Sequence, residues 1–247
     1  RIDGYTKTEQ GMEVGQFYGY VYEGIFQNQS EIDGHVNSLG NIIVQQGAQP
    51  GDVAYADISG PDGVPDGQIT TDDQTYLGSG MPDVNFGLSF RLEYKNFDLA
   101  VSTFGALGFK VLDFIDMTLH SSYGITNKSV DLINSWSPDN PSTTIPASYY
   151  KTGSTVTNDL FSARFLQDGD YWKLANVELG YNFHEDWFHG LISGVRVYIS
   201  GQNLYTLSKY RGYNIDFAGG TFTPGYNYCS YPTPRTFMAG VKLSFRG

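Results

Sequence analysis

The sequence predicts an all-β chain, a section of an antiparallel transmembrane β-barrel. Three observations predict it. Five segments alternate apolar and polar residues, the gaps between them run short and long in turn, and no run of about 18 apolar residues is present. Strand side chains point alternately to opposite faces, so each segment shows an oily face and a wet one. Strands of roughly 9–11 residues, with tight turns at one end and large loops at the other, have the dimensions of an outer-membrane barrel. A strand that meets hydrocarbon on one side only needs no continuous apolar run.

The elements follow in order. Residues 1–27 are a strand region whose less regular candidate, Gln16–Phe26, opens on Phe17-Tyr18-Gly19-Tyr20. Residues 28–84 form a long loop with an Asp/Gly-rich acidic motif. Residues 85–107 form a hairpin: Phe86, Leu88, Phe90, Leu92 and Tyr94 share one face, and Phe97, Leu99 and Val101 follow after only Lys95-Asn96. A second long loop, 108–170, contains a short helix. The next hairpin, 171–205, carries Ala175, Val177, Leu179, Tyr181 and Phe183 on one strand and Val195, Val197 and Ile199 on the other. An aromatic loop, 206–234, leads to the final strand, 235–247, with Phe237, Ala239, Val241, Leu243 and Phe245 on one face.

If the last strand ends in the periplasm, every short turn (95–96 and near 184–192) is periplasmic and every long loop extracellular. Tyr94, Phe97, Phe183, Trp187, Phe188 and Phe245 then gather at the periplasmic rim, as an aromatic girdle. Two loop segments read as helical: Ser30-Glu31-Ile32-Asp33 resembles a capping box, and Lys128–Trp136 has near-helical spacing before Pro138. Six strands cannot close a membrane barrel, which needs at least about eight, so something outside these strands must complete the wall.

The composition agrees. The 247 residues are 15% aromatic and only 17% charged, which argues against disorder. The net charge of −11 disfavours nucleic acid. The acids concentrate in the long connections, as solvated loops or as loops that take up cations or polar ligands. Cys229 is alone, so no intrachain disulfide framework forms. Beginning at Arg1 without a signal peptide, the chain reads as a mature fragment or part of a longer chain.

The best local motif for chemistry is the acidic stretch from Asp57 to Asp73. Asp57, Ser59, Asp62, Asp66, Asp72 and Asp73 supply hard oxygen ligands of the kind calcium takes, while Gly60, Gly63 and Gly67 allow tight turns. The pattern of a calcium loop is only partly met, because Val64 fills a ligand position. Asp and Gly also form turns with no metal. His184-Glu185-Asp186-Trp187-Phe188-His189 has histidines five apart, which would not share a helical face as a zinc motif needs, and it reads as an interfacial turn. Neither G-x-S-x-G nor a phosphate-cradling G-x-x-x-x-G-K-[ST] occurs, so no enzyme is expected and no cofactor beyond calcium in 57–73 is in view.

Candidates for substrate or partner contact are the outer aromatics Tyr149, Tyr150, Tyr205, Tyr210, Tyr213, Phe217, Phe222, Tyr226, Tyr228 and Tyr231. An exposed ring offers an apolar face to a sugar or a partner, and the same rings could instead pack the loops or form the outer girdle. Arg91, Glu93, Lys173, Glu178, Arg196 and Lys242 are read as facing the lumen, where such residues solvate a channel or pair with material inside it.

Six blocks in order resemble the C-terminal part of SusC/RagA-type TonB-dependent outer-membrane transporters. They are Gly15–Tyr20 with Glu23–Gln27, Gln49-Pro50-Gly51-Asp52, Asp57–Gly67, Asp168–Val177, Gly201–Tyr205 and Tyr231–Phe237. The resemblance implies a barrel of about 22 strands occluded by an N-terminal plug. It also implies a SusD-like surface lipoprotein as a lid, energy from TonB, and import of oligosaccharides or peptides through the bacterial outer membrane. The end of the chain departs from the family, since Arg246-Gly247 follow the aromatic Phe245 that normally terminates the barrel. Two other classes compete: a secreted calcium-binding β-sandwich that adheres to glycans, water-soluble and polar where the barrel reading places lipid, and a surface glycosidase working through a carboxylate pair.

Overall fold

The computed structural model describes residues 1–121, 127–149, 158–183, 192–217 and 219–245. In chain order the first strands are β1 (Ile2–Asp3), β2 (Thr6–Lys7), β3 (Gln16–Tyr20), β4 (Tyr22–Ile25), β5 (Val53–Tyr55) and β6 (Gln74–Gly78). Then come β7 (Val84–Tyr94), β8 (Phe97–Leu107), β9 (Lys110–Asp113), β10 (Leu166–Asp168), β11 (Tyr171–Asn182), β12 (Ile192–Ser208), β13 (Tyr226–Asn227) and β14 (Thr236–Phe245). Two α-helices, α1 (Gln29–Asp33) and α2 (Phe114–His120), lie between strands. No helix among the described residues is long and apolar enough to cross a membrane.

The chain divides into two compact units. The first comprises residues 1–80, 110–167 and 218–229. It has an ordinary buried core: Tyr20, Ile43, Val53, Tyr55 and Ile69 form one cluster, and Phe17, Leu112, Phe161 and Phe165 another. Gly19 is required there, because a Cβ would run into the carbonyl and ring of Phe161, to which the next amide, Tyr20, donates at 2.9 Å. The long connections 28–84 and 108–170 are therefore largely folded material with its own core. Gln16–Phe26 splits into β3 and β4, which pair with β2, β6 and β5 rather than joining the large sheet. Its apolar residues are not in strict alternation, and they serve this core.

Helix α1 starts earlier than Ser30-Glu31-Ile32-Asp33 suggests. The cap is Asn28, whose side chain accepts from the Glu31 amide at 3.0 Å, and the Glu31 carboxylate accepts from the Gln27 amide at 2.7 Å. The Asn28 cap, with Glu31 tied back to the Gln27 amide and to Asn28 Nδ2, thus fixes the helix start. In 128–136 the observed element is a 3-10 turn over Val130–Asn134, capped by Ser129.

The second unit comprises residues 81–109, 168–217 and 230–247. It is built on one antiparallel sheet, in the order β14-β12-β11-β8-β7. β7 and β8 pair in continuous register from Val84↔Leu107 to Tyr94↔Phe97, joined by the two-residue turn Lys95-Asn96 with Lys95 at φ 54°. β11 pairs with β8 and β12, and β12 with β14. The two outer strands, β7 and β14, have no partner beyond them among the described residues.

Candidate functional site

Residues opposite each other in an antiparallel pair share a face, so the register alone assigns the two sides of the sheet. One row runs Leu92–Leu99–Leu179–Ile199–Ala239 across all five strands, and the next runs Phe90–Val101–Val177–Gly201–Phe237. This apolar side is open: Leu88 is 62% exposed, Leu92 59%, Ile199 59% and Val241 62%. A β-sandwich would have to bury these side chains against a second sheet. About 25 cal/mol per Å² of apolar surface makes such a face unfavourable in water, and it suits hydrocarbon. At the turn end, rings line the edge: Phe97 meets Tyr181 at 4.8 Å, Tyr181 meets Phe183 at 5.0 Å, and Tyr94 and Phe245 are exposed. Trp187, Phe188 and the His184–His189 segment lie outside the described residues.

The opposite side is polar. Ser89 Oγ donates to Ser102 Oγ at 3.0 Å. Near the turn end, the Arg196 guanidinium donates to both carboxylate oxygens of Asp98 and, at 2.8 Å, to Glu178 Oε1. Asn182 Nδ2 adds a bond to Asp98 at 2.9 Å, and Arg91 stands 3.8 Å from it while pairing with Glu93 at 3.0 Å. Gly180 makes room, because a Cβ there would strike the Arg196 guanidinium and the Asp98 carboxylate. Four strands, β7, β8, β11 and β12, thus contribute one charge-assisted network to one face, with its carboxylates paired to Arg91 and Arg196, as suits a wetted wall. Arg91, Glu93, Glu178 and Arg196 lie on the side where alternation puts them, and so does Asp98, whose place on the face opposite Leu99 and Val101 follows from the same parity although its role as the centre of this network does not.

Lys173, read from the sequence as facing the lumen, is on the polar side for a reason that alternation does not supply. Strict alternation from Ala175 and Val177 would send it to the apolar side. Ala175 is instead an extra residue against β8, where Leu174 faces Thr103 and Asn176 faces Ser102. β12 bulges at the same level, with Asn203 at φ 53°. Above the bulge Trp172 and Leu174 continue the apolar face, while Lys173 turns to the polar side and meets Asp216 at 3.1 Å. The single extra residue inverts parity along β11 beyond it, while β12, with residues 203 and 204 both out of register, keeps Gly201 and Tyr205 on the same face.

The aromatic candidates fall in both units. In the first, Tyr149 donates to Asp52 Oδ1 at 2.6 Å, and burial, aided by that carboxylate, raises its phenol pKa. Phe222 is half-buried under the Arg1 guanidinium. Tyr226 sits among Tyr5, Phe114 and Tyr228 and is pushed up to about 12 by burial, while Tyr228 is exposed. In the second, Tyr210 is buried, Phe217 half-buried, and Tyr213 and Tyr231 are exposed. Tyr205 is not a loop residue: it is in β12, on the apolar face beside Trp172, at 6.5 Å between ring centres. Tyr150 lies outside the described residues. Neither unit gathers its share of these rings into a single cluster.

The acidic stretch is organised by its own backbone. Asp57 Oδ2 accepts from the Gly67 amide at 2.6 Å and from Asn37 Nδ2 at 2.8 Å. Asp73 accepts from the amides of Ile58, Ser59 and Thr70; burial raises its pKa and those three bonds oppose the rise. Asp66 accepts from the Gln68 amide, Ser59 is half-buried, and Asp62 and Asp72 point to solvent. Among the described residues no three His, Cys, Asp or Glu side chains are placed to hold a metal ion.

A one-layer sheet with one face fit for hydrocarbon and one for water is the wall of a membrane β-barrel. The relatives agree. The chain is 32% identical over 244 residues to TonB-dependent receptor P3 of Formosa agariphila, covering 96% of this chain and 22% of that protein. It is 27% identical over 182 residues to the TonB-dependent receptor SusC of Bacteroides thetaiotaomicron, covering 72% of this chain and 17% of that protein. Among solved structures, the RagAB peptide importer in its open-open state superposes with a TM-score of 0.68 at 24% identity, over 97% of this chain and 25% of that one. No family model matches the chain. The chain belongs to the TonB-dependent receptors of SusC/RagA type, outer-membrane β-barrel proteins. It spans about a quarter of the length of the relatives it matches.

Proposed function

We propose that this chain is the C-terminal wall section, with its outer loops, of an importer that carries oligosaccharides or peptides across the outer membrane. The observation that carries this reading is the five-stranded sheet with two open edges and an exposed apolar face. Unpaired strand edges cannot stand in lipid, so β7 and β14 must each be joined by further strands of a closed barrel, of about 22 in this family. Residues 28–84, 108–170 and 206–234 then emerge on the outer side, opposite the Lys95-Asn96 turn. A plug fills the lumen against the Arg196–Asp98–Glu178 wall, TonB supplies the energy, and a SusD-like lipoprotein covers the mouth. The chain has no catalytic role in this reading, and needs no cofactor.

Deleting the gene of the full-length receptor should remove TonB-dependent uptake of one nutrient class. Restoring it without residues 209–234 should restore insertion, seen as heat-modifiable gel migration, but not uptake. Full uptake by the shortened receptor would defeat the role given to these loops.

A further inference from the structure

At the outer end of the sheet's polar face lies a cavity of about 260 Å³. It is lined by Lys173, Thr206 and Ser208 from β11 and β12, by the 210–216 segment, and by Thr233 and Arg235. The frame is held by its own bonds. Lys173, only 4% exposed, is fixed by Asp216 at 3.1 Å, and Asn214 brackets Asp216 by accepting from its amide and donating to its carbonyl. Asn203 donates to the Pro234 carbonyl at 3.1 Å, which ties the 233–235 segment to the bulge of β12. One group is left over: Arg235 lines the cavity and makes no hydrogen bond or ion pair among the described residues. The cavity therefore holds two cations against one carboxylate, in a chain of net charge −11. Tyr213, which also lines the cavity, is 75% exposed.

We infer that this cavity is a subsite for the carboxylate of an acidic oligomer, with Arg235 as its fork and the Tyr213 ring stacking on the adjoining unit; this rests on the import reading above. A guanidinium presents paired N–H donors that match a carboxylate, and an unpaired one beside a prebuilt polar frame needs no rearrangement to bind it. Ligand pockets run from about 300 Å³ upward, so this volume admits one charged unit of a longer chain rather than a whole oligomer. The carboxylate could come from a sugar acid or from a peptide, and the test separates the two.

The experiment uses the full-length receptor in detergent and calorimetric titration with two matched pairs: tetragalacturonate against its methyl ester, and tetraglutamate against tetraglutamine. The acid of one pair should bind about ten-fold more tightly than its neutral partner, the ratio expected for one charge-assisted fork. Which pair responds identifies the source. Arg235→Gln should erase that preference and Arg235→Lys retain part of it. Asp216→Asn, which removes the competing carboxylate, should shift affinity for the acid in the opposite direction, upward. Heat-modifiable migration checks that each variant is folded. Equal binding of acid and neutral forms, no binding of either acid, or an unchanged preference in Arg235→Gln would each overturn the subsite. TonB-dependent uptake of a neutral oligomer alongside that result would leave the import reading standing, whereas acid binding without any uptake would overturn the import reading alone.

Discussion

The two units solve opposite problems with the same residue types. In the first, Tyr20, Tyr55, Val53 and Phe17 are hidden, and the exposed surface is polar or mixed. In the second, Phe90, Leu92, Ile199 and Val241 lie open on the surface while Asp98, Lys173 and Ser200 are buried. Hydrophobicity is thus a statement about the solvent each face meets, and the five-stranded sheet is turned inside out because its outer solvent is lipid.

The comparison can be broken most severely by charging the open face. Val241→Lys near the middle of β14 should cost about 2–4 kcal/mol in refolding of the full-length barrel into bilayers, while Ser89→Lys on the polar face should cost close to nothing. Equal costs would show that both faces meet water. A comparable loss in the first unit needs a core deletion. Tyr55→Ala removes a fully buried ring and should destabilise that unit by about 3–5 kcal/mol, seen as protease sensitivity of residues 1–80 with the barrel still inserted.

A smaller effect tests the polar wall. A double-mutant cycle with Asp98→Asn and Arg196→Met should give a coupling of about 1–3 kcal/mol in the same refolding assay, since hydrogen bonds to charged groups carry that order of energy. Zero coupling would mean that water takes over the role of each partner. Least is expected at the exposed helix α1, where Asn28→Ala should cost about 1 kcal/mol locally, read as faster hydrogen exchange of the Glu31 amide without loss of insertion.

Much of the second unit was legible because a strand bathed by two solvents must alternate, and alternation can be read along the chain. The rows Phe86–Tyr94 and Phe237–Phe245 announced their faces residue by residue. Lys173 was not legible by the same rule, since a single extra residue, Ala175, reverses parity without leaving a pattern of its own. Residues 28–84 and 108–170 were harder still. Their core joins Tyr20 to Ile43, Val53 and Ile69, positions far apart in sequence with no common period, so they read as loops. The Asp57–Asp73 stretch looked like a ligand set because Asp and Gly serve metals and backbone turns alike. The structure shows Asp57 Oδ2 and both oxygens of Asp73 accepting N–H bonds that organise the turn.

The sequence by itself determined that this protein has an amphipathic sheet, where its hairpins turn, and which side of each regular strand is oily, because those properties are local and periodic. The tertiary structure decided the rest: the register that joins five oily sides into one band, the bulge that rescues Lys173 from it, and the meeting of Arg196, Asp98 and Glu178. It also set Arg235 beside the Lys173–Asp216 pair. These depend on pairings between residues tens of positions apart, and such pairings carry no periodic trace along the chain.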